Sequence, residues 1–185
     1  MKIVVVTRNR NKASEIAAFF GKQAEIEHVT MDLPEIRHED VGEIAQKKAE
    51  YAYNLIGRAL IVDDTAFSIE GLGGFPGTCA AYVHETIGNR GILRLMEGVT
   101  NRRAYFETAI ALATDTGIQV FRGRIEGMIV PPRGSTGFGY DPIFETGGRT
   151  LAELSLAEKT RISHRSLALA ELKKWMLGQD KTVKW

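Results

Sequence analysis

Apolar residues recur along this chain with two periods, and the switches between them lay out its elements. Residues 3–6, Ile-Val-Val-Val, form a continuous β-branched run, as in a strand buried on both faces. The period then changes: Ala13, Ile16, Ala17, Phe19 and Phe20 recur at helical spacing, and Gly21 is a natural stop. Residues 25–30 read as a weaker strand with Ile26 and Val29 as its apolar members, and Pro34 ends regular structure by forcing Leu33 to be extended. From 41 to 56 the apolar positions are 41, 44, 45, 49, 52, 55 and 56, a strongly amphipathic helix that Gly57 closes. Residues 59–62 give a short buried strand with Asp63 and Asp64 at its C-terminal end. Gly71, Gly73, Gly74 and Gly77 with Pro76 mark a tight loop; 78–86 reads as helical, and Asn89 caps a further helix through Met96 to Gly98.

A long strand follows over 104–114, with Phe106, Thr108, Ile110 and Leu112 on one face and Tyr105, Ala109 and Ala111 on the other. Asp115-Thr116-Gly117 turns it into a return strand over 118–130, which Pro131-Pro132 breaks. Ser163 caps a last helix whose apolar face is Leu167, Ala168, Leu172, Trp175 and Met176. The polar, basic tail after Gly178 is expected to fray. Strand–helix units followed by a long hairpin predict an α/β fold, a mixed twisted sheet with flanking helices, in which the hairpin extends the sheet or builds a second lobe.

Composition narrows the function classes. The 185 residues suffice for one sizeable core or two small lobes, and 44% apolar with 25% charged residues is ordinary for a globular chain. A net charge of +1 gives no global field toward nucleic acid or membrane, so any anion site must be a local cluster. The single cysteine, Cys79, excludes an internal disulfide and fits a reducing compartment. Met1-Lys2 leads into only a short apolar run, and no segment approaches the roughly 20 apolar residues of a membrane helix; a cytoplasmic protein is expected.

Candidate chemistry sits at the element boundaries. Two adjacent carboxylates at a strand end repel and are costly to desolvate unless a cation joins them; a divalent metal is one such cation. A solvated turn accounts for Asp63 and Asp64 equally well on this stretch alone. In the turn 7–12, Thr7, Asn9 and Asn11 can cap or donate, while Arg8, Arg10 and Lys12 bring positive charge to a helix N-terminus, a ready phosphate site. The turn lacks both the G-x-x-x-x-G-K and the G-x-G-x-x-G pattern, which disfavours a nicotinamide-linked dehydrogenase, and by itself it reads slightly better as a solvated cap. Phe138, flanked by Gly137 and Gly139, suits stacking on a planar base or a packed aromatic corner. His164 and Arg165 open a helix, where the dipole disfavours cations, so an anionic or carbonyl-rich neighbour would resolve them, or simple solvation.

Taken in order, the motifs are specific. T-x-N-x-x-K at Thr7, Asn9 and Lys12, D-L-P-E at 32–35, D-D-T at 63–65, L-G-G-x-P-G at 72–77, F-R-G-R at 121–124, F-G-Y-D-P at 138–142, A-E-K at 157–159 and S-H-R at 163–165 span nearly the whole chain. The chain resembles the inosine triphosphate pyrophosphatase family (the Ham1/RdgB type). The resemblance implies two lobes around a central nucleotide cleft within a single domain over 1–185. It implies hydrolysis of ITP, dITP and XTP to the monophosphate and pyrophosphate by a cytoplasmic homodimer. It further implies Mg²⁺, or another divalent ion such as Mn²⁺, on Glu35 and Asp64, with Asp64 also the general base. The turn of Thr7, Arg8, Asn9, Arg10, Asn11 and Lys12 would hold the triphosphate, with Lys47 and Lys159 facing phosphates and Thr65 on the substrate side. Phe138, Gly139, Tyr140 and Asp141 would pack on and hydrogen-bond the base, and His164 and Arg165 would read its 6-oxo edge. One departure stands out: Ala81 occupies a place where many members carry a basic residue, and Arg8 or Arg10 is expected to compensate. Two other readings are a Maf-type pyrophosphatase with a different base preference and a nucleotide-binding protein without turnover.

Overall fold

A computed structural model of the chain describes residues 2–178; the tail expected to fray lies outside the described residues. The first β-branched run is β1, Lys2–Val6, and Asn9 caps α1, Arg10–Phe20. Then come β2, Glu25–Val29, and α2, Val41–Ile56, capped by Asp40 and closed by Gly57 in the left-handed conformation. The next strand, β3, Leu60–Ile69, leads through a tight turn into the short β4, Pro76–Gly77. Helix α3, Ala80–Leu95, breaks its helical conformation at Gly88, so the two helical segments expected there are joined end to end. The hairpin is β5, Arg103–Thr114, and β6, Gly117–Ile129. Short strands β7, Phe144–Thr146, and β8, Arg149–Thr150, precede α4, Leu156–Ile162, and α5, His164–Gly178.

All the described strands join one mixed sheet in the order β2-β1-β3-β5-β6-β7-β8, with β4 on β3. β1 runs parallel to β2 and β3, and β5 is antiparallel to β3 along its whole length, from Leu60 opposite Ala113 to Ile69 opposite Ala104. That pairing corrects one expectation. The strand does not stop at Val62; it continues through Asp63 and Asp64, which lie in mid-strand because β5 offers a partner to every residue up to Ile69.

Alternation along β5 sorts the core. Ala109, Ala111 and Ala113 face α2, where Ala45, Ala49 and Ala52 let helix and sheet approach closely. Ile110 and Leu112 face the other side, with Ile16 and Phe20 of α1 and Leu169 and Leu172 of α5. Toward the far end of the hairpin a third cluster gathers Phe67, Phe106, Phe144 and Tyr140 under α3. Each buried Ile, Leu or Phe of these clusters contributes about 1.5–3 kcal/mol on leaving water, and each alanine methyl less.

Candidate active site

The sheet has a gap, and the chemistry is in it. On one side β3 is paired throughout. On its other side it meets β1 only at Ile61 and β4 only at Phe67 and Ser68. Between these contacts the edge of β3 has no strand neighbour. A strand sends successive side chains to opposite faces, so Asp63 and Asp64 flank the same opening from two sides of the sheet. A cavity of ≈330 Å³, lined by Ala66 and Ser68 among others, opens further along the face that carries Asp64.

The turn 7–12 lies at this opening. Its polar side chains shape the turn: the Asn9 N–H donates to Thr7 Oγ1 (3.1 Å), and Asn9 Oδ1 accepts from the N–H groups of Asn11 (3.0 Å) and Lys12 (3.2 Å). Lys12 Nζ reaches across to the Asp63 carbonyl and carboxylate, both at 3.3 Å. Arg8 is exposed and pairs with Asp32 (3.0 Å) and Glu35 (3.6 Å), which ties the 30–40 loop to the turn. Arg10 and Asn11 are exposed at the start of α1, and Arg10 has no carboxylate partner among the described residues.

Asp64 accepts from Lys48 at 2.5 Å through Oδ2 and from the Thr65 N–H at 3.0 Å through Oδ1. Lys48, absent from the sequence-derived set, is therefore the α2 lysine at the gap. The assignment to Lys47 is corrected: Lys47 is exposed, one step around the helix, and makes no ion pair among the described residues.

Below the gap lies a buried ionic network. Arg165, 1% exposed, donates from Nε to Asp63 Oδ2 (3.0 Å), from Nη1 to Glu15 and from Nη2 to Thr65 Oγ1 (3.3 Å). Lys159 bridges Glu15 (2.7 Å) and Asp141 (2.6 Å). Three cations, Lys12, Lys159 and Arg165, thus meet three carboxylates, Glu15, Asp63 and Asp141. Burial would raise the Asp63 carboxyl, but Lys12 and Arg165 outweigh it and hold it below its ordinary value. Asp63 Oδ1 is buried without a hydrogen-bond partner. The Arg165 charge at the start of α5 is resolved by Glu15 and Asp63. His164 is resolved by neutrality, since burial and the nearby Arg165, Lys159 and Lys12 hold it well below its ordinary 6.5.

The aromatic loop adds a half-buried ring. Phe138 lies over Lys159, with Nζ 4.8 Å from its centroid, and its N–H donates to Asp141 Oδ2 (2.8 Å). Lys159 is therefore corrected from a phosphate-facing residue to one buried beneath the aromatic end of the cleft. Tyr140 is corrected as well: its ring stacks on Phe67 at 4.4 Å and its hydroxyl donates to the Ala80 carbonyl, so it belongs to the core and offers no face to a ligand. The Gly139 carbonyl accepts from Asn89 (3.0 Å), which pins the loop to α3.

Comparison with known proteins decides what kind of cleft this is. Residues 3–175 match the sequence model of the Ham1 family. The chain is 42% identical to the dITP/XTP pyrophosphatase of Pyrobaculum aerophilum, covering 97% of this chain and 98% of that one. The chain belongs to the Ham1 family. It is also 37% identical to the inosine triphosphate pyrophosphatase of Emericella nidulans, covering 94% of this chain and 96% of that protein. The Ham1 protein of Staphylococcus aureus superposes with a TM-score of 0.82 at 28% identity, covering 97% of this chain and all of that one (100%).

For a Ham1 protein, the carboxylates at the gap raise the question of a metal. No group of three or more His, Cys, Asp or Glu side chains gathers to hold one among the described residues. An ion here would draw on two carboxylates and complete its shell with phosphate oxygens and water, the habit of Mg²⁺. Glu35 and Asp64 fit that role chemically. Both supply hard oxygens, each is held by one cationic side chain, and the turn 7–12 touches the loop of one and the strand of the other.

Proposed function

We propose that this Ham1 protein hydrolyses non-canonical purine nucleoside triphosphates, ITP, dITP and XTP, to the monophosphate and pyrophosphate. The observation that carries this reading is the gap in the sheet. Lys12 and Lys48 reach Asp63 and Asp64 at its middle, and Phe138 lies over the buried Lys159 and 6.0 Å from Arg165, which pairs with Asp63. The printed names of the relatives support the same reading.

In this mechanism the triphosphate lies against the N-terminus of α1, with Lys12 and Lys48 offsetting its charge. Mg²⁺ held by Glu35 and Asp64 would neutralise charge that develops on the leaving pyrophosphate. Asp64 orients a water and takes its proton as the water oxygen attacks the α-phosphorus. The bond from that phosphorus to the bridging oxygen breaks, and pyrophosphate departs with the electron pair. Phe138 stacks on the base. His164, backed by the buried Arg165, meets its 6-position, where a 6-oxo group accepts and a 6-amino group leaves a donor unpaired. A homodimer working in the cytoplasm belongs to this reading; no helix among the described residues is long and apolar enough to cross a membrane.

The test is pyrophosphate release from ITP and ATP, with and without Mg²⁺, by the wild type and Asp64→Asn. The wild type should act on ITP in Mg²⁺ and little on ATP. The variant should lose about 100-fold or more, the scale of a general base. No release from ITP by the wild type refutes the reading.

A further inference from the structure

Three strands bring Thr65, Thr108 and Gly123 into one row: Thr65 is opposite Thr108, and Thr108 is opposite Gly123. Directly opposed side chains on one face touch, and the two hydroxyls lie 2.7 Å apart. At Gly123 the missing side chain makes room for the first turn of α5. A Cβ there would collide with the His164 carbonyl and the Ala168 nitrogen. That close approach sets the His164 ring on Phe106 (4.7 Å between centroids, 22° between planes) and its Nδ1 2.6 Å from Thr108 Oγ1. The row continues to Arg165, whose Nη2 is 3.3 Å from Thr65 Oγ1.

The protons in this row have a direction. A guanidinium only donates, so Thr65 Oγ1 accepts from Arg165. The Thr65 proton then points to Thr108, and the Thr108 proton to His164 Nδ1. In this order both hydroxyl protons have a protein acceptor, and only the proton on His164 Nε2 is left for a ligand. Reversed, with Nδ1 donating to Thr108 and Thr108 to Thr65, the Thr65 proton is left with none among the described residues. We propose that the Thr65–Thr108 relay holds His164 as the tautomer with its proton on Nε2, making it an obligate donor at the base and Thr108 a positioning residue for 6-oxo selectivity. The neutral state of the buried imidazole agrees with this order, since a charged ring would carry protons on both nitrogens. A 6-oxo oxygen accepts from Nε2–H; a 6-amino group presents another donor to it. The selectivity part rests on the proposed pyrophosphatase activity, whereas the tautomer does not.

Two measurements separate these. Proton–nitrogen correlation spectra of the His164 ring, near pH 7 and without nucleotide, report which nitrogen carries the proton in the wild type, Thr108→Val and Thr108→Ser. The wild type and Thr108→Ser should show Nε2–H, and Thr108→Val a mixture. The ratio of kcat/KM for ITP over ATP should fall about 10-fold in Thr108→Val, one hydrogen bond's worth, and stay near wild type in Thr108→Ser. A wild-type ring protonated on Nδ1 overturns the proposal. So does a Thr108→Val enzyme that keeps both the tautomer and the ratio. If the wild type leaves ITP intact, the activity reading fails, and the spectra still decide the relay.

Discussion

Glu15 is the keystone of the buried network, and its removal makes a quantitative test. Its carboxylate touches Arg165 on one side and Lys159 on the other, and those cations are 1% and 3% exposed. Glu15→Ala leaves three cations, two of them buried, facing two carboxylates, Asp63 and Asp141. Breaking a buried pair by removing one partner costs about 3–5 kcal/mol, because the remaining charge is uncompensated. Here the loss should lie near 3 kcal/mol, since Arg165 keeps Asp63 and Lys159 keeps Asp141. For a chain of this size that corresponds to a fall in Tm of about 6–12 °C. Urea unfolding followed by circular dichroism should show a lower midpoint with an unchanged slope. Glu15→Gln keeps the shape and removes the charge, so it should lose nearly as much as Glu15→Ala. A loss below about 1 kcal/mol in Glu15→Ala, or a wild-type midpoint in Glu15→Gln, would show that water screens these charges and that the balance of three against three is irrelevant.

Three further outcomes follow from the geometry. Lys48→Met should lower pyrophosphate release from ITP by 10-fold or more, roughly the scale of a lost charge-assisted bond, while Lys47→Met should leave it unchanged in the same assay. His164 stays neutral in the folded protein, chiefly through burial, whereas the unfolded chain takes up the proton as pH drops through 6.5. The unfolded state then binds more protons, so stability present above pH 6.5 should be lost as pH falls below it, and denaturation midpoints of His164→Asn between pH 7 and 5 should lack that share of the slope. Gly123→Ala should destabilise by at least about 1–3 kcal/mol through overpacking against α5, and should also weaken ITP selectivity by lifting His164 from Thr108, read by calorimetry and by the kcat/KM ratio.

Much of this architecture was legible in the pattern of the chain. The stripe at 41, 44, 45, 49, 52, 55 and 56 with Gly57 gave α2 its observed bounds, although Leu55 is exposed, and alternation along β5 sorted its faces correctly. The same stripe also held the signal that picks Lys48 over Lys47. Position 48 has three stripe residues three or four places away, Ile44, Ala45 and Ala52, whereas 47 has only Ile44. Other features had no local signature. The extent of β3 depends on β5, and the partners of Glu15, Lys159 and Arg165, come from distant parts of the chain. The family resemblance carries Tyr140 to the base together with Phe138 and Asp141. The burial of Tyr140 comes from Phe67, which no spacing within the loop reveals.

The unpaired edge of β3 also bears on self-association. A bare strand edge is a template for another strand, from the same chain or a stranger. Here the bare stretch is enclosed between β1 and β4, and Lys12, Lys48 and Asp64 stand guard over it, charged groups that an incoming strand would have to bury. The residues that would greet a phosphate chain are thus the ones that keep intruding backbone out. Neutralising both lysines should leave an enzyme that clumps as well as one that binds poorly.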